Sequence, residues 1–325
     1  MVAAGRDASL ARKQQFVAPA VALLYILLWS SAFIATKVGV THSPPLTLLA
    51  ARFLVAAAVL AALVRARRLA WPRARRDWAR LALFGLLNSS LYLGFSYVAL
   101  QHLSAGMATI IAATNPLLLT LLAPRLLGER LTRPRVLGLA LGFGGVVFVM
   151  GARLGSGAGK GTDTLEGMLL AMAGVVCLVG ATALYKRVQP REHPLVVNTV
   201  QLAAAGLALL PPALLIEHPE RVRVDDPLLW AFLYLVVVIS IGASLLWFWL
   251  LERGEASVVS AYYFLTPICG LLLAALLLGE PFGPRDALGL VAVTIGIALI
   301  NRNRSDMGAQ ASGRANETIV AAGDI

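Results

Sequence analysis

Four sets of side chains in this sequence carry chemistry that their apolar surroundings do not explain. Lys37 follows Trp29, Phe33 and Thr36, which at i, i+4 and i+7 share one helical face. A cation there can snorkel to a polar interface, or can face a cavity and attract a carboxylate. Arg52 lies inside the next apolar run, roughly 10 Å along a helix from its start, too deep for easy snorkelling. It must point inward, and structural anchoring is its first reading. Asn88, Tyr92 and Ser96 form a polar stripe at i, i+4 and i+8; Ser240, Ser244 and Trp247 form another at i, i+4 and i+7. Such stripes serve interhelical hydrogen bonds, or wall a wet cavity, and their recurrence favours the cavity. Pro116 and Pro267 interrupt apolar runs. Each removes a backbone donor and crowds the carbonyl four residues back, at Ala112 and Tyr263. Asn115, Tyr262, Tyr263 and Thr266 lie beside them. The freed polar backbone there can meet a ligand or flex in gating, or the kink simply fits the shape.

Other chemistry is missing. No Asp or Glu stands away from the ends of the apolar runs; Glu129, Glu166, Glu252, Glu255 and Glu280 are all at boundaries. A mid-membrane carboxylate, the usual proton carrier, is therefore not expected. Glu129 and Glu280 each end a run within LGE, and read as structural: acceptors for the next helix's first turn, or partners of Arg133 or Arg135. Cys177 and Cys269 sit singly in apolar runs, and His42, His102, His193 and His218 are scattered. No metal, cofactor or catalytic constellation is expected.

The elements that position these groups follow from composition. The 325 residues are 58% hydrophobic and only 14% charged, with mean hydropathy +0.77. Soluble domains carry about 25% charged residues. A disordered chain, a disulfide scaffold and nearly every soluble enzyme class are excluded. Ten runs are long and apolar enough to cross a bilayer: 17–38, 45–64, 81–101, 104–124, 132–151, 166–186, 194–216, 228–251, 256–278 and 284–301. They lack the alternation of barrel strands. The first reads as a signal anchor, because no cleavage site follows it. GSGAGKGT lacks phosphate-loop spacing and reads as a linker.

The net charge of +11 is distributed by side. Arg65, Arg67, Arg68, Arg73, Arg75, Arg76 and Arg80 fall between the second and third runs, on the side of the N-terminus. Only Arg153, Lys160, Arg221, Arg223 and Arg285 fall on the opposite side. The expectation is that both termini are cytoplasmic, and that the charge reports topology, not nucleic-acid binding.

A shift of 151 lays LLGERLTRPRVLGL (126–139) on LLGEPFGPRDALGL (277–290), Pro116 on Pro267 and Gly145 on Gly296. A shift of 149 lays Lys37 on Lys186 and Pro45 on Pro194. Each half holds five runs, an odd number, so the second half enters the membrane inverted. Inverted repeats build secondary transporters, with the substrate site near the midplane between halves. The expected organisation is an N-terminal tail (1–16), a five-helix repeat (17–151), a Gly-rich linker (152–164), a second repeat (165–301) and a disordered tail (302–325).

With WSSAFIATK in the first run, AARF early in the second, and LLGER and LLGEP ending the fourth and ninth, the chain resembles the EamA type of the drug/metabolite transporter superfamily. The resemblance covers roughly residues 20–301. It implies a ten-helix bacterial inner-membrane carrier, often an exporter of amino acids or related compounds, and a lysine at position 37. The combined expectation is an all-α alternating-access transporter of a small zwitterionic or anionic metabolite. Its partners are that substrate and the bilayer, with a homodimer left open. The alternatives are a carrier for cationic or lipophilic drugs, a membrane-embedded enzyme and a non-transporting scaffold. The substrate-binding candidates are Trp29, Phe33, Lys37, Asn88, Tyr92, Ser96, Asn115, Ser244, Trp247, Tyr262 and Tyr263. Arg52, Pro116, Pro267, Glu129 and Glu280 are the structural or gating candidates.

Overall fold

The computed structural model describes residues 2–127, 131–156, 163–247 and 265–300. Every regular element among them is helical. In chain order these are α1 (Val2–His42), α2 (Pro45–Ala66), α3 (Arg75–Ala99), α4 (Ala105–Ala112, resuming as Asn115–Leu127), α5 (Arg133–Ser156), α6 (Leu165–Val188), α7 (Pro194–Leu215), α8 (Asp226–Trp247), α9 (Thr266–Leu278) and α10 (284–300). Eight helices among the described residues are long and apolar enough to cross a bilayer, and α9 is a shorter apolar one. The expected sites Glu129, Tyr262 and Tyr263 lie outside the described residues, as do the tail 301–325 and part of the linker, 157–162.

Large apolar side chains point outward along the bundle: Leu215 is 83% exposed, Leu276 79% and Trp230 73%. Ser30, Thr36, Arg52, Ser89, Asn198, Gln201 and Ser240 are buried instead. This inversion of the usual soluble pattern is what a lipid solvent demands.

Helix starts follow local chemistry. Pro45 and Pro194 open α2 and α7, where the missing N–H costs nothing. Ser104, Thr164 and Asp225 cap α4, α6 and α8 by accepting from Met107, Gly167 and Leu228. Gly279 ends α9 with φ +63°, a conformation that favours glycine. α3 begins at Arg75, six residues before the expected 81, because helical bonding continues past the apolar run. Trp71 stacks on Trp78 at that edge, with centroids 5.9 Å apart.

The helices pair mostly across the two halves. α2 packs along α7 and against α8, α3 against α6 and α7, α1 against α8 and α9, and α4 against α9 and α6. A pseudo-twofold that exchanges α1–α5 with α6–α10 maps this set onto itself. The tightest evidence is at α5 and α10. A Cβ on Gly296 would sit 2.6 Å from the Gly138 carbonyl oxygen, and one on Gly138 would sit 2.7 Å from that of Gly296. One on Gly145 would sit 2.8 Å from the Gly289 oxygen. The shift of 151 exchanges these two contacts, so the sequence repeat is also the structural one.

Two departures from regular helix recur at matching places. α3 widens to a π-helix over Leu86–Leu91 and α8 over Tyr234–Ala243. α4 breaks after Ala112, the residue whose carbonyl Pro116 crowds, and resumes at Asn115.

The seam makes a stability prediction. Gly296→Ala must push backbone from backbone, costing about 1–3 kcal/mol, and should lower the thermal midpoint of the purified protein. Gly144, also in α5, has nothing within 4 Å of an added Cβ. Gly144→Ala should leave the midpoint unchanged or raise it. Equal midpoints for the two variants would refute the tight seam.

Candidate functional site

The π segments and the α4 break meet at a cavity of about 310 Å³ between the halves. Trp29 and Tyr25 (α1), Phe84 and Asn88 (α3) and Asn115, Pro116 and Leu119 (α4) line it from the first half. Thr182 and Tyr185 (α6), Asn198 and Gln201 (α7) and Ser244 and Trp247 (α8) line it from the second. Each of these irregular segments thus contributes residues to the cavity, where freed polar backbone is tolerated.

Among the described residues the wall is uncharged. Asn115 Oδ1 is buried and accepts no hydrogen bond among the described residues. Asn198 spends its amide N–H on the Ser240 carbonyl, at 3.2 Å, and Gln201 spends its own on Ser89 Oγ, at 2.8 Å. Their side-chain oxygens therefore remain as acceptors. The same cavity is also lined by aromatic rings. The Tyr25 ring stacks 6.1 Å from Trp29 and 5.4 Å from Trp247, and Phe84 lies 5.1 Å from Tyr185. Amide oxygens accept from ammonium or hydroxyl donors, and aromatic faces attract cations and apolar groups. The cavity suits a small amphipathic molecule with donors to offer.

Of the residues singled out by sequence, Trp29, Asn88, Asn115, Pro116, Ser244 and Trp247 line this cavity. Phe33, Tyr92 and Ser96 line a second, smaller pocket together with Arg52. Trp29 and Ile239 belong to both. Arg52 is 4% exposed; Nε donates to Ser240 Oγ at 2.9 Å and Nη1 to Tyr97 Oη at 2.5 Å. Pro267 lies in the first turn of α9. Sequence reasoning passed over Tyr25, Thr182, Tyr185, Asn198 and Gln201. Asn198 and Gln201 did carry a signal, as amides four and seven residues into an apolar run.

Lys37 lines neither pocket. Its ammonium donates to the carbonyls of Leu100 and Leu103, at 2.7 and 2.6 Å, where α3 ends. This lies at the end of the bundle opposite the arginine-rich α2–α3 loop. A network of charges surrounds it. Arg153 reaches Asp163 at 3.0 Å and Asp286 at 2.9 Å. Glu280 accepts from the backbone N–H of Ala105 and Gly106, at 2.7 and 2.9 Å. It therefore caps α4 of the other half, not the next helix in sequence. Glu217 does the same for α2, through Leu46 and Thr47. Asp225 meets His42 at 2.6 Å, and its carboxyl is held below the usual carboxylate range, first by the Leu228 N–H. One end of the bundle is thus tied by capping carboxylates and ion pairs, and the cavity lies nearer the other.

Comparison with known proteins bears on this arrangement. The model of the EamA-like transporter family matches residues 18–151 and again 165–302. The uncharacterized transporter YvbV of Bacillus subtilis is 28% identical over 290 residues, covering 89% of this chain and 92% of its own. The probable amino-acid metabolite efflux pump of Salmonella typhimurium is 27% identical, covering 89% and 94%. The uncharacterized inner membrane transporter YedA of Escherichia coli is 26% identical, covering 85% and 88%. A crystal structure of a protein 25% identical matches with a TM-score of 0.63, over 87% of this chain and 96% of that one.

The tied end predicts a graded loss. Glu280→Ala leaves two backbone N–H groups of α4 uncapped and should cost about 1–2 kcal/mol, read as a lower thermal midpoint. Glu280→Gln keeps one oxygen acceptor and should lose less. A midpoint unchanged by Glu280→Ala would show that the cap is not made.

Proposed function

This chain belongs to the EamA-like transporter family, and from that premise we propose that it exports a small amino acid or a related carboxylate by alternating access. It is a multi-pass membrane transporter, not an enzyme; its partners are the bilayer and a small-molecule substrate. The observation that supports the finer reading is the cavity between the halves, whose described lining is neutral and combines amide oxygens with aromatic rings. An ammonium finds acceptors at Asn115, Asn198 and Gln201, and an apolar side chain finds Tyr25, Trp29 and Trp247. The name of the Salmonella typhimurium relative points the same way. Access from the tied end requires the contacts of Arg153, Glu280 and Lys37 to part, while the seam of α5 and α10 stays closed.

The aromatic rings would also suit an organic cation, so the test includes one. In proteoliposomes, counterflow of labelled leucine should proceed without an imposed pH gradient, since no carboxylate among the described residues lines the cavity. Asn115→Ala and Trp29→Ala should each slow it at least tenfold per unit of folded protein. Choline should not compete. Parental rates in both variants would remove the cavity from transport. Competition by choline with none by leucine would turn the reading to cation efflux.

The inner-membrane setting with both termini cytoplasmic rests on the arginines of the α2–α3 loop. In a background lacking Cys177 and Cys269, a cysteine at Ser156 should react with an impermeant thiol reagent from outside the cell. One at Ala70 should not. The reverse pattern would invert the assignment.

A further inference from the structure

The pseudo-twofold supplies a comparison within one molecule. Arg52 Nε donates to Ser240 Oγ at 2.9 Å, between α2 and α8. Gln201 Nε2 donates to Ser89 Oγ at 2.8 Å, between α7 and α3. Shifts of 149 and 151 exchange Arg52 with Gln201 and Ser89 with Ser240, so these are images of one contact. In the second half a neutral amide makes the tie. The first half makes the same tie with a guanidinium, whose charge the tie does not need.

That charge is costly where it lies, deep in α2 and 4% exposed. Among the described residues Arg52 forms no ion pair. Its neighbours are Ser240, the Tyr97 hydroxyl and the Phe53 ring, 5.5 Å from Cζ. A guanidinium has five N–H donors. Nε and Nη1 each donate once here, and Nη2 has no hydrogen-bond partner among the described residues. Thr36, 3% exposed, likewise has a hydroxyl with no such partner. Both line the smaller pocket, whose volume is about 40 Å³. One water needs roughly 10–15 Å³ on this measure. The space holds a carboxylate group, not a whole metabolite. It shares Trp29 and Ile239 with the large cavity, so the two spaces adjoin at these side chains.

We propose that Arg52 and Thr36 form the anion subsite of the transport site. The subsite takes the substrate's carboxylate through the remaining guanidinium hydrogens and the Thr36 hydroxyl, while the rest of the molecule lies in the neutral cavity. A planar guanidinium matches a carboxylate in a way that an ammonium does not. The interhelical tie and the anion site then use different hydrogens of the same side chain. The proposal rests on the large cavity being the transport site.

Benzoate and benzamide, alike in shape and different in charge, are suitable probes. Their affinities are measured by saturation-transfer NMR on the purified full-length protein at fixed ionic strength. Benzoate should bind the wild-type protein at least tenfold tighter than benzamide. Arg52→Gln, which copies the residue at the matching position, should abolish that preference and leave benzamide unchanged. Arg52→Lys should retain part of it. Lys37→Gln, a charge removed elsewhere, should retain all of it. If Arg52→Gln does not fold, Thr36→Val keeps the cation and should weaken benzoate severalfold, but not benzamide. Equal or absent binding of benzoate by the wild-type protein overturns the proposal. So does a preference that survives Arg52→Gln, survives Thr36→Val undiminished, or disappears with Lys37→Gln. Leucine counterflow separates this from the transport reading. If Trp29→Ala transports normally while Arg52→Gln loses the benzoate preference, the transport reading fails, and Arg52 and Thr36 remain an anion site with no part in transport.

Discussion

Hydrocarbon offers no hydrogen bonds, and the rest of this molecule answers to that. Each backbone polar group left unpaired in lipid costs several kcal/mol on the order of magnitude usual for such transfers. The chain therefore runs as helices, and the departures from regular helix described above each reach the cavity. The break between Ala112 and Asn115 and the π segments of α3 and α8 all lie at the cavity. At the ends, Glu217, Glu280, Asp225 and Lys37 take up the groups that the helices leave unbonded. The same constraint that forbids irregular backbone elsewhere gathers polar backbone at one place, where a substrate can use it.

The repeat supplies the scaffold, and its imperfections supply the chemistry. Where the halves must touch, they match: Gly138 meets Gly296 as Gly145 meets Gly289. Where a ligand would bind, they differ. Asn88 corresponds to Ile239, and Arg52 to Gln201. A perfectly symmetric interior would present the same groups twice and hold an asymmetric metabolite poorly. Departure from symmetry against a symmetric frame thus marks function better than polarity alone.

Much of the architecture was legible before any coordinates. Apolar run length defines helices in lipid, and the shift of 151 is visible because close helix contacts restrict residue choice. The stripe through Asn88 and the Ser244–Trp247 stripe were legible for a similar reason: a polar group in an apolar run needs a neighbour. Helix ends were harder. The start of α3 at Arg75 lies among charges, where hydropathy no longer reports helicity. The neighbours of Lys37 were not legible at all. They are carbonyls, at Leu100 and Leu103, and backbone groups carry no residue identity to read. Tyr185 adjoins Lys186 at the end of its apolar run, where nothing in the sequence separates a cavity aromatic from an interfacial one.

The cross-half pairing also dictates an order of assembly. A chain is delivered to the membrane from its N-terminus, so α1–α5 arrive while α7, α9 and α10 do not yet exist. The glycine face of α5 must then wait uncovered in lipid, and α2 must wait without α7. Arg52 enters with Tyr97 of its own half soon available, but Ser240 comes only with α8. The nascent first half is consequently a loose set of helices rather than a folded domain. Its docking is deferred until the last spans are threaded, because the surfaces it packs on belong to the second half.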